Sequence, residues 1–183
     1  SPDFVACHVP AYLNQYDLLK GLKKGGTFLL NSIWDEEETK RRLPDNMKKY
    51  LTKNQINFYI INATKIASEI GLGNRTNTIM QSAFFKVSEV IPYTQAVEQM
   101  KKAIVKSYGK KGEKIVNMNN EAVDKGGKVI KITIPKEWHN IQIQEKTDSR
   151  SIPDFIKNVA EVMNAQKGDD LPVSTFIGRE DGT

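Results

Sequence analysis

The chain has 183 residues, a net charge of +5, 39% hydrophobic residues and one cysteine, Cys7. That length suits a single α/β-sized domain with an appendage and a sizeable core, and no apolar run approaches the roughly 20 residues of a membrane span. One cysteine excludes an internal disulfide and any cysteine-only metal or iron–sulfur site within this chain, and it points to a reducing cytoplasm.

Residues 4–8 read as a short buried strand. Residues 12–22 carry Leu13, Tyr16, Leu19 and Leu22 at helical spacing. Gly25-Gly26 breaks that helix, and residues 27–31 form a second buried strand. Strand, helix and strand in this order predict a parallel pair joined by a right-handed crossover. Asp35 then caps a helix whose acids come first and whose Lys40-Arg41-Arg42 come last, with Glu38 placed as a capping-box acid. Pro44 ends it, and residues 47–51 continue as a short helix. The uninterrupted run 56–61 is a third strand, of the kind covered on both faces in a parallel sheet.

Residues 63–70 are helical. After them comes Gly71-Leu72-Gly73-Asn74-Arg75-Thr76-Asn77-Thr78, then an apolar helix starting near Thr76. A further helix follows Pro92, with Val97, Met100, Ile104 and Tyr108 at its inward spacing. Gly109-Lys110-Lys111-Gly112 turns the chain into a helix over 113–125, with Ile115, Met118 and Ala122 facing inward. Residues 129–135 form a short strand or an extended strap, and Trp138 anchors the segment after it. Ser151-Ile152-Pro153-Asp154 opens a last helix, closed by Gly168-Asp169-Asp170. The expected fold is thus α/β: a partial, Rossmann-like three-layer domain with a mainly parallel sheet, followed by a helical hairpin and a C-terminal helix.

Little in the chain is suited to chemistry. Lysines are scattered among Asp and Glu and read as solvated surface, with no element for reading nucleic acid. The acidic run 35–38 is explained by capping. His8 lies at the carboxyl end of a strand, where open α/β sheets place ligands, yet a histidine there is more often packing. Cys7 and His8 point to opposite faces, which disfavours a nucleophile–base pair. No metal-ligand spacing, P-loop lysine or nucleophile elbow is present. The 71–78 loop is the one concentrated candidate. Gly71 and Gly73 permit positive φ, Thr76 or Asn74 can cap the helix, and Arg75 can partner a phosphate or carboxylate. The plainer alternative makes Gly71 a helix C-cap and the rest a turn.

Several long stretches also carry a resemblance. Asp3-Phe4-Val5-Ala6-Cys7-His8, then Leu18-Leu19-Lys20-Gly21-Leu22-Lys23-Lys24-Gly25-Gly26-Thr27-Phe28-Leu29-Leu30-Asn31-Ser32, and the loop and helix from Gly71 through Gln81 with Ala83-Phe84-Phe85, closely resemble a middle segment of pyruvate:ferredoxin (flavodoxin) oxidoreductase. The closing Pro172-Val173-Ser174 and Gly178-Arg179-Glu180-Asp181-Gly182-Thr183 resemble the entrance to the linking domain named for Glu-Lys-Arg. The resemblance implies a domain like the separate gamma subunit of 2-oxoacid oxidoreductases over 1–165, lacking an earlier strand, and a linker over 166–183. It implies an excised, non-catalytic piece of an enzyme that decarboxylates pyruvate with coenzyme A and passes electrons to ferredoxin or flavodoxin. Thiamine diphosphate, Mg2+ and [4Fe–4S] clusters would lie in other domains, and none in this piece. A homodimer is expected, with the other domains as partners, and neither nucleic acid nor membrane. By similarity Gly71, Gly73, Arg75, Asn77 and Thr78 would face coenzyme A or a neighbouring domain. Two other readings stay open: a free-standing nucleotide- or phosphate-binding module, and a subunit-assembly scaffold.

Overall fold

A computed structural model describes residues 3–8 and 16–143. The expected C-terminal helix after Ser151 and the linker over 166–183 lie outside the described residues. The rest divides into two compact units, one running to Ile60 and resuming at Ile130, the other spanning Ile61–Val129.

The first unit is built on a four-stranded sheet in the order β1-β2-β3-β4. β1 (Phe4–Cys7) and β2 (Thr27–Asn31) pair in parallel, Val5 opposite Phe28 and Cys7 opposite Leu30. β3 (Asn57–Ile61) lies beside β2, with its Asn57 N–H donating to Gly26 O at 2.8 Å. β4 (Ile130–Lys131) runs antiparallel to β3, and the Ile132 N–H extends the pairing to Phe58 O at 2.8 Å. The ladder is shorter than the 129–135 run allows, and the remainder continues as a strap. Pro135 has no N–H to give a ladder, and a 3-10 turn over Lys136–Asn140 follows it directly.

Helices of this unit start and stop where local chemistry dictates. α1 (Tyr16–Leu19) is short among the described residues, because the chain tightens at once into turns. Gly21 N–H bonds Leu18 O and Leu22 N–H bonds Leu19 O, which folds Leu22 into the core instead of extending the helix. α2 (Glu36–Arg42) is capped as expected: the Asp35 carboxylate accepts from the Glu38 N–H at 2.9 Å. Glu38 does not reach back to complete a capping box. Its carboxylate is taken by Arg41 Nη2 at 2.6 Å and Arg42 Nε at 2.6 Å, since two guanidinium donors outcompete one backbone N–H. Asp35→Ala is expected to cost about 1 kcal/mol of unfolding free energy, measured by urea titration. α3 (Asp45–Lys53) follows Pro44 and buries Met47 and Leu51.

The core of this unit gathers Phe28, Leu30, Phe58 and Ile60 from the sheet with Leu19, Leu22, Met47 and Leu51 from the helical side. The Phe28 and Phe58 rings stack, centroids 5.5 Å apart. Trp138 joins the same core, as its anchoring role predicts, with Lys48 Nζ 5.5 Å from the ring centroid. The Tyr50 hydroxyl donates to Leu22 O at 2.6 Å, and Lys49 Nζ donates to His139 O.

The second unit is helical. It comprises α4 (Ala63–Ile70), α5 (Asn77–Ser88), α6 (Tyr93–Tyr108) and α7 (Glu113–Gly126). α6 and α7 form the expected hairpin through a 3-10 turn at Gly109–Lys111, and α5 and α4 pack against α7. α5 is buried on every side over Thr78 to Phe85. It approaches α7 closely because α7 ends in Gly126. The Ser82 hydroxyl, on α5, donates to Val123 O at 2.6 Å and lies 2.8 Å from the Tyr93 hydroxyl. Of the residues expected to face inward on α7, Ala122 is buried while Ile115 and Met118 are half-buried. Asn119 and Val123 complete the buried stripe. Among the described residues no helix is long and apolar enough to cross a membrane.

Candidate functional site

The 71–78 loop forms where α4 must stop and α5 must start. Gly71 takes φ 94°, a left-handed conformation that glycine adopts without strain, and its N–H bonds Ala67 O and Ser68 O. Gly73 also sits at positive φ, 65°, with nothing within 4 Å of where a Cβ would stand. Between them Leu72 turns inward, buried, its N–H bonding Ala67 O at 2.8 Å. This hydrophobic peg lets Gly73, Asn74 and Arg75 stand outside, exposed. The plain reading, Gly71 as a helix C-cap with a turn after it, is the geometry seen.

Arg75 is tethered at its base. Its N–H bonds Leu72 O at 3.1 Å and its Nε reaches the same carbonyl at 3.5 Å. Among the described residues it makes no ion pair. Thr76 occupies the N-cap of α5, but neither it nor Asn74 supplies the expected side-chain cap bond. At φ −110° and ψ 0° Thr76 lacks the extended backbone of a capping residue, so its hydroxyl does not reach the N–H two or three positions on. Asn77 is half-buried and Thr78 buried. The structure thus brings Gly71, Gly73 and Arg75 together on an exposed turn, with Asn77 beneath them and Thr78 inside.

A second constellation lies at the carboxyl ends of β1 and β2. His8 is 8% exposed and Asn31 1% exposed, with Asn31 Nδ2 donating to His8 O at 2.9 Å. Beside them Trp34 N–H donates to Ser32 Oγ at 3.1 Å, the Ser32 and Thr39 hydroxyls are 2.7 Å apart, and Thr39 Oγ1 donates to Trp34 O at 3.2 Å. This closed ring of donors and acceptors holds the loop after β2. The Arg42 guanidinium lies 4.5 Å over the Trp34 ring. Sequence reasoning picked out His8 but missed Asn31, Ser32 and Thr39. The signal was there: an Asn-Ser pair at the close of an apolar strand.

Burial pushes the His8 pKa below its ordinary 6.5. The neutral ring is then the folded form, and the unfolded chain binds the proton more readily. This contribution to stability is full above about pH 6.5 and is lost as pH falls through that value. The melting temperature should drop by a few degrees between about pH 7.5 and about pH 5.5, and His8→Gln should remove most of that drop.

No group of three His, Cys, Asp or Glu among the described residues could hold a metal ion. The chain's single thiol, Cys7, is buried, whereas a [4Fe–4S] cluster takes four thiolates. One thiolate does not make the ligand set of a [4Fe–4S] cluster.

The sequence profile described as pyruvate ferredoxin/flavodoxin oxidoreductase matches residues 1–129. The chain belongs to this family. A second profile, described as a domain of unknown function and abbreviated EKR, matches residues 142–183. The chain is similar to the pyruvate-flavodoxin oxidoreductase of Enterobacter agglomerans, 52% identical over 99% of this chain and 15% of that protein. It is also similar to the pyruvate:ferredoxin oxidoreductase of Moorella thermoacetica, 49% identical over 95% of this chain and 15% of that one. It spans about 15% of the length of these relatives. Among solved structures, the pyruvate oxidoreductase subunit PORC of Thermotoga maritima superposes with a TM-score of 0.54 at 22% identity, covering 70% of this chain and 65% of that one. That likeness bears out the α/β fold, a mainly parallel sheet with helices, expected from the sequence.

Proposed function

We propose that this segment works as the gamma-like part of a longer oxidoreductase that oxidatively decarboxylates pyruvate with coenzyme A and hands electrons to ferredoxin or flavodoxin. Its own task is to present the 71–78 turn to coenzyme A. The observation that carries this is the pairing of an exposed Arg75, without an ion pair among the described residues, with a turn built outward on two positive-φ glycines at the start of a buried helix. Backbone N–H groups at a helix start and a guanidinium together suit a phosphate ester. Over the whole length of the chain, residues 1–165 serve as the gamma-like domain and 166–183 as the linker onward. Thiamine diphosphate, Mg2+ and [4Fe–4S] clusters belong to other parts of the longer protein, which is cytoplasmic and homodimeric.

Thiamine diphosphate, when bound elsewhere, supplies the carbanion chemistry of decarboxylation. What this chain's residues do is bind and orient: Leu72 and the Gly71 C-cap fix the turn, Arg75 meets an anionic oxygen, and Gly73 leaves the backbone bare enough for close approach. The chain alone turns over no pyruvate. Titration of the full chain with coenzyme A, followed by amide shifts, should move the signals of Gly71, Gly73, Arg75 and Asn77 while those of β1 to β4 stay in place. Shifts confined to other residues, or none, would leave the loop as a scaffold between domains.

A further inference from the structure

The charge of the chain is not spread evenly. Residues 101–114 hold six lysines and one carboxylate, Glu113, a local +5 that equals the net charge of the whole chain. They occupy the last two turns of α6, the 3-10 turn at Gly109–Lys111 and the first turn of α7, so the fold gathers them at one end of the hairpin. Lys102, Lys106, Lys110, Lys111 and Lys114 are exposed. Among the described residues the ion pairs of this helical unit are Lys65–Glu69, Lys101–Asp124 and Lys125–Glu121, which leaves those five ammonium groups without a carboxylate. Val105 lies among them, three residues after Lys102 and one before Lys106, on the outward side of α6. The inward side carries Ala96, Met100 and Ile104. At 55% exposure it is the most exposed large hydrophobic residue among those described.

We infer that this hairpin tip is a docking surface for an acidic protein, with Val105 as an apolar anchor inside a rim of lysines. Protein interfaces combine an apolar centre with a polar rim, and opposite charge steers the approach. A nucleic acid fits less well. The stretch contains no arginine, the residue whose planar fork reads phosphate and guanine best. Its one aromatic ring, Tyr108, is half-buried with Lys111 Nζ 5.6 Å from the ring centroid, and a single ring is a poor platform for successive bases. An exposed valine offers a phosphate backbone nothing. The inference stands on this patch alone and does not depend on the reading of the 71–78 turn.

Fluorescence anisotropy on the full chain tests it, using a labelled glutamate-rich peptide of about 20 residues with one central leucine, and a single-stranded oligothymidylate of similar charge. In low salt the peptide should bind, weaken as salt rises, and bind at least about tenfold more weakly to K102E/K106E/K110E. The triple glutamine variant should behave alike if charge is the cause, while K24E/K53E/K136E, at exposed lysines of the other unit, should bind as the parent does. Val105→Ser should weaken the leucine peptide about threefold and leave a serine-centred peptide unchanged. No peptide binding, binding indifferent to the triple variants, an unmoved Val105→Ser, or an oligonucleotide that outcompetes the peptide would each overturn the inference.

Discussion

Gly126→Ala should lower the unfolding free energy by about 3 kcal/mol, and Gly126→Val by enough to abolish cooperative unfolding of the helical unit. A Cβ at this position would stand 2.5 Å from Ile79 O and 2.5 Å from Ser82 Cβ. Both belong to the body of α5, one of them to its backbone, so neither can swing aside as the end of a long side chain could. The helices would have to separate. That would stretch the bond from Ser82 Oγ to Val123 O, which at 2.6 Å ties α5 to α7 one turn before the glycine. The loss of a buried hydroxyl's partner then adds to the steric cost. Urea unfolding followed by far-ultraviolet dichroism reads the change, and a midpoint for Gly126→Ala equal to that of the parent would show that α5 and α7 are not in this close register.

Phe58→Ala should cost about 3–5 kcal/mol in the sheet-containing unit. Phe58 is fully buried in β3 and stacks on Phe28 of β2, the rings inclined by 19°. Removing the ring loses the transfer free energy of a large aromatic and leaves a void walled by strands, which collapse less readily than a loop would. The backbone of Phe58 also receives the Ile132 N–H, so the cavity opens beside the joint that brings the late strap back to the sheet. Phe58→Leu, which retains most of the volume, should recover more than half of the loss. A change smaller than about 1 kcal/mol for Phe58→Ala would mean that the ring is not in the core.

Local features were legible where local chemistry decides them. β2 and α4 fall on the residues expected, because an apolar run between Gly26 and Ser32, and a helical pattern between Asn62 and Gly71, carry their own stop signals. Asp35 caps α2 for the same reason. Glu38 went elsewhere because a guanidinium pair lies three and four residues on, a competition that the capping motif does not encode. β4 was readable as β-prone, but not its partner. Ile130 meets Ile60, a residue 70 positions earlier, and no periodicity reports such a pairing. α5 was legible as a buried helix, yet it buries Thr78, Gln81 and Ser82 along with its apolar residues, so no apolar stripe says which neighbour it packs on. In the candidate site, the exposed turn was written in two glycines and an arginine. The failure of Thr76 to cap was not, since it depends on the ψ of one residue.

The most direct test of the account is the KM for coenzyme A of the longer oxidoreductase carrying Arg75→Ala. A guanidinium bonded to a phosphate oxygen in both the ground and transition states contributes to binding and not to the barrier. The account predicts a KM raised about tenfold with kcat within about twofold of the parent, and partial recovery with Arg75→Lys. A KM for coenzyme A unchanged by Arg75→Ala would contradict it.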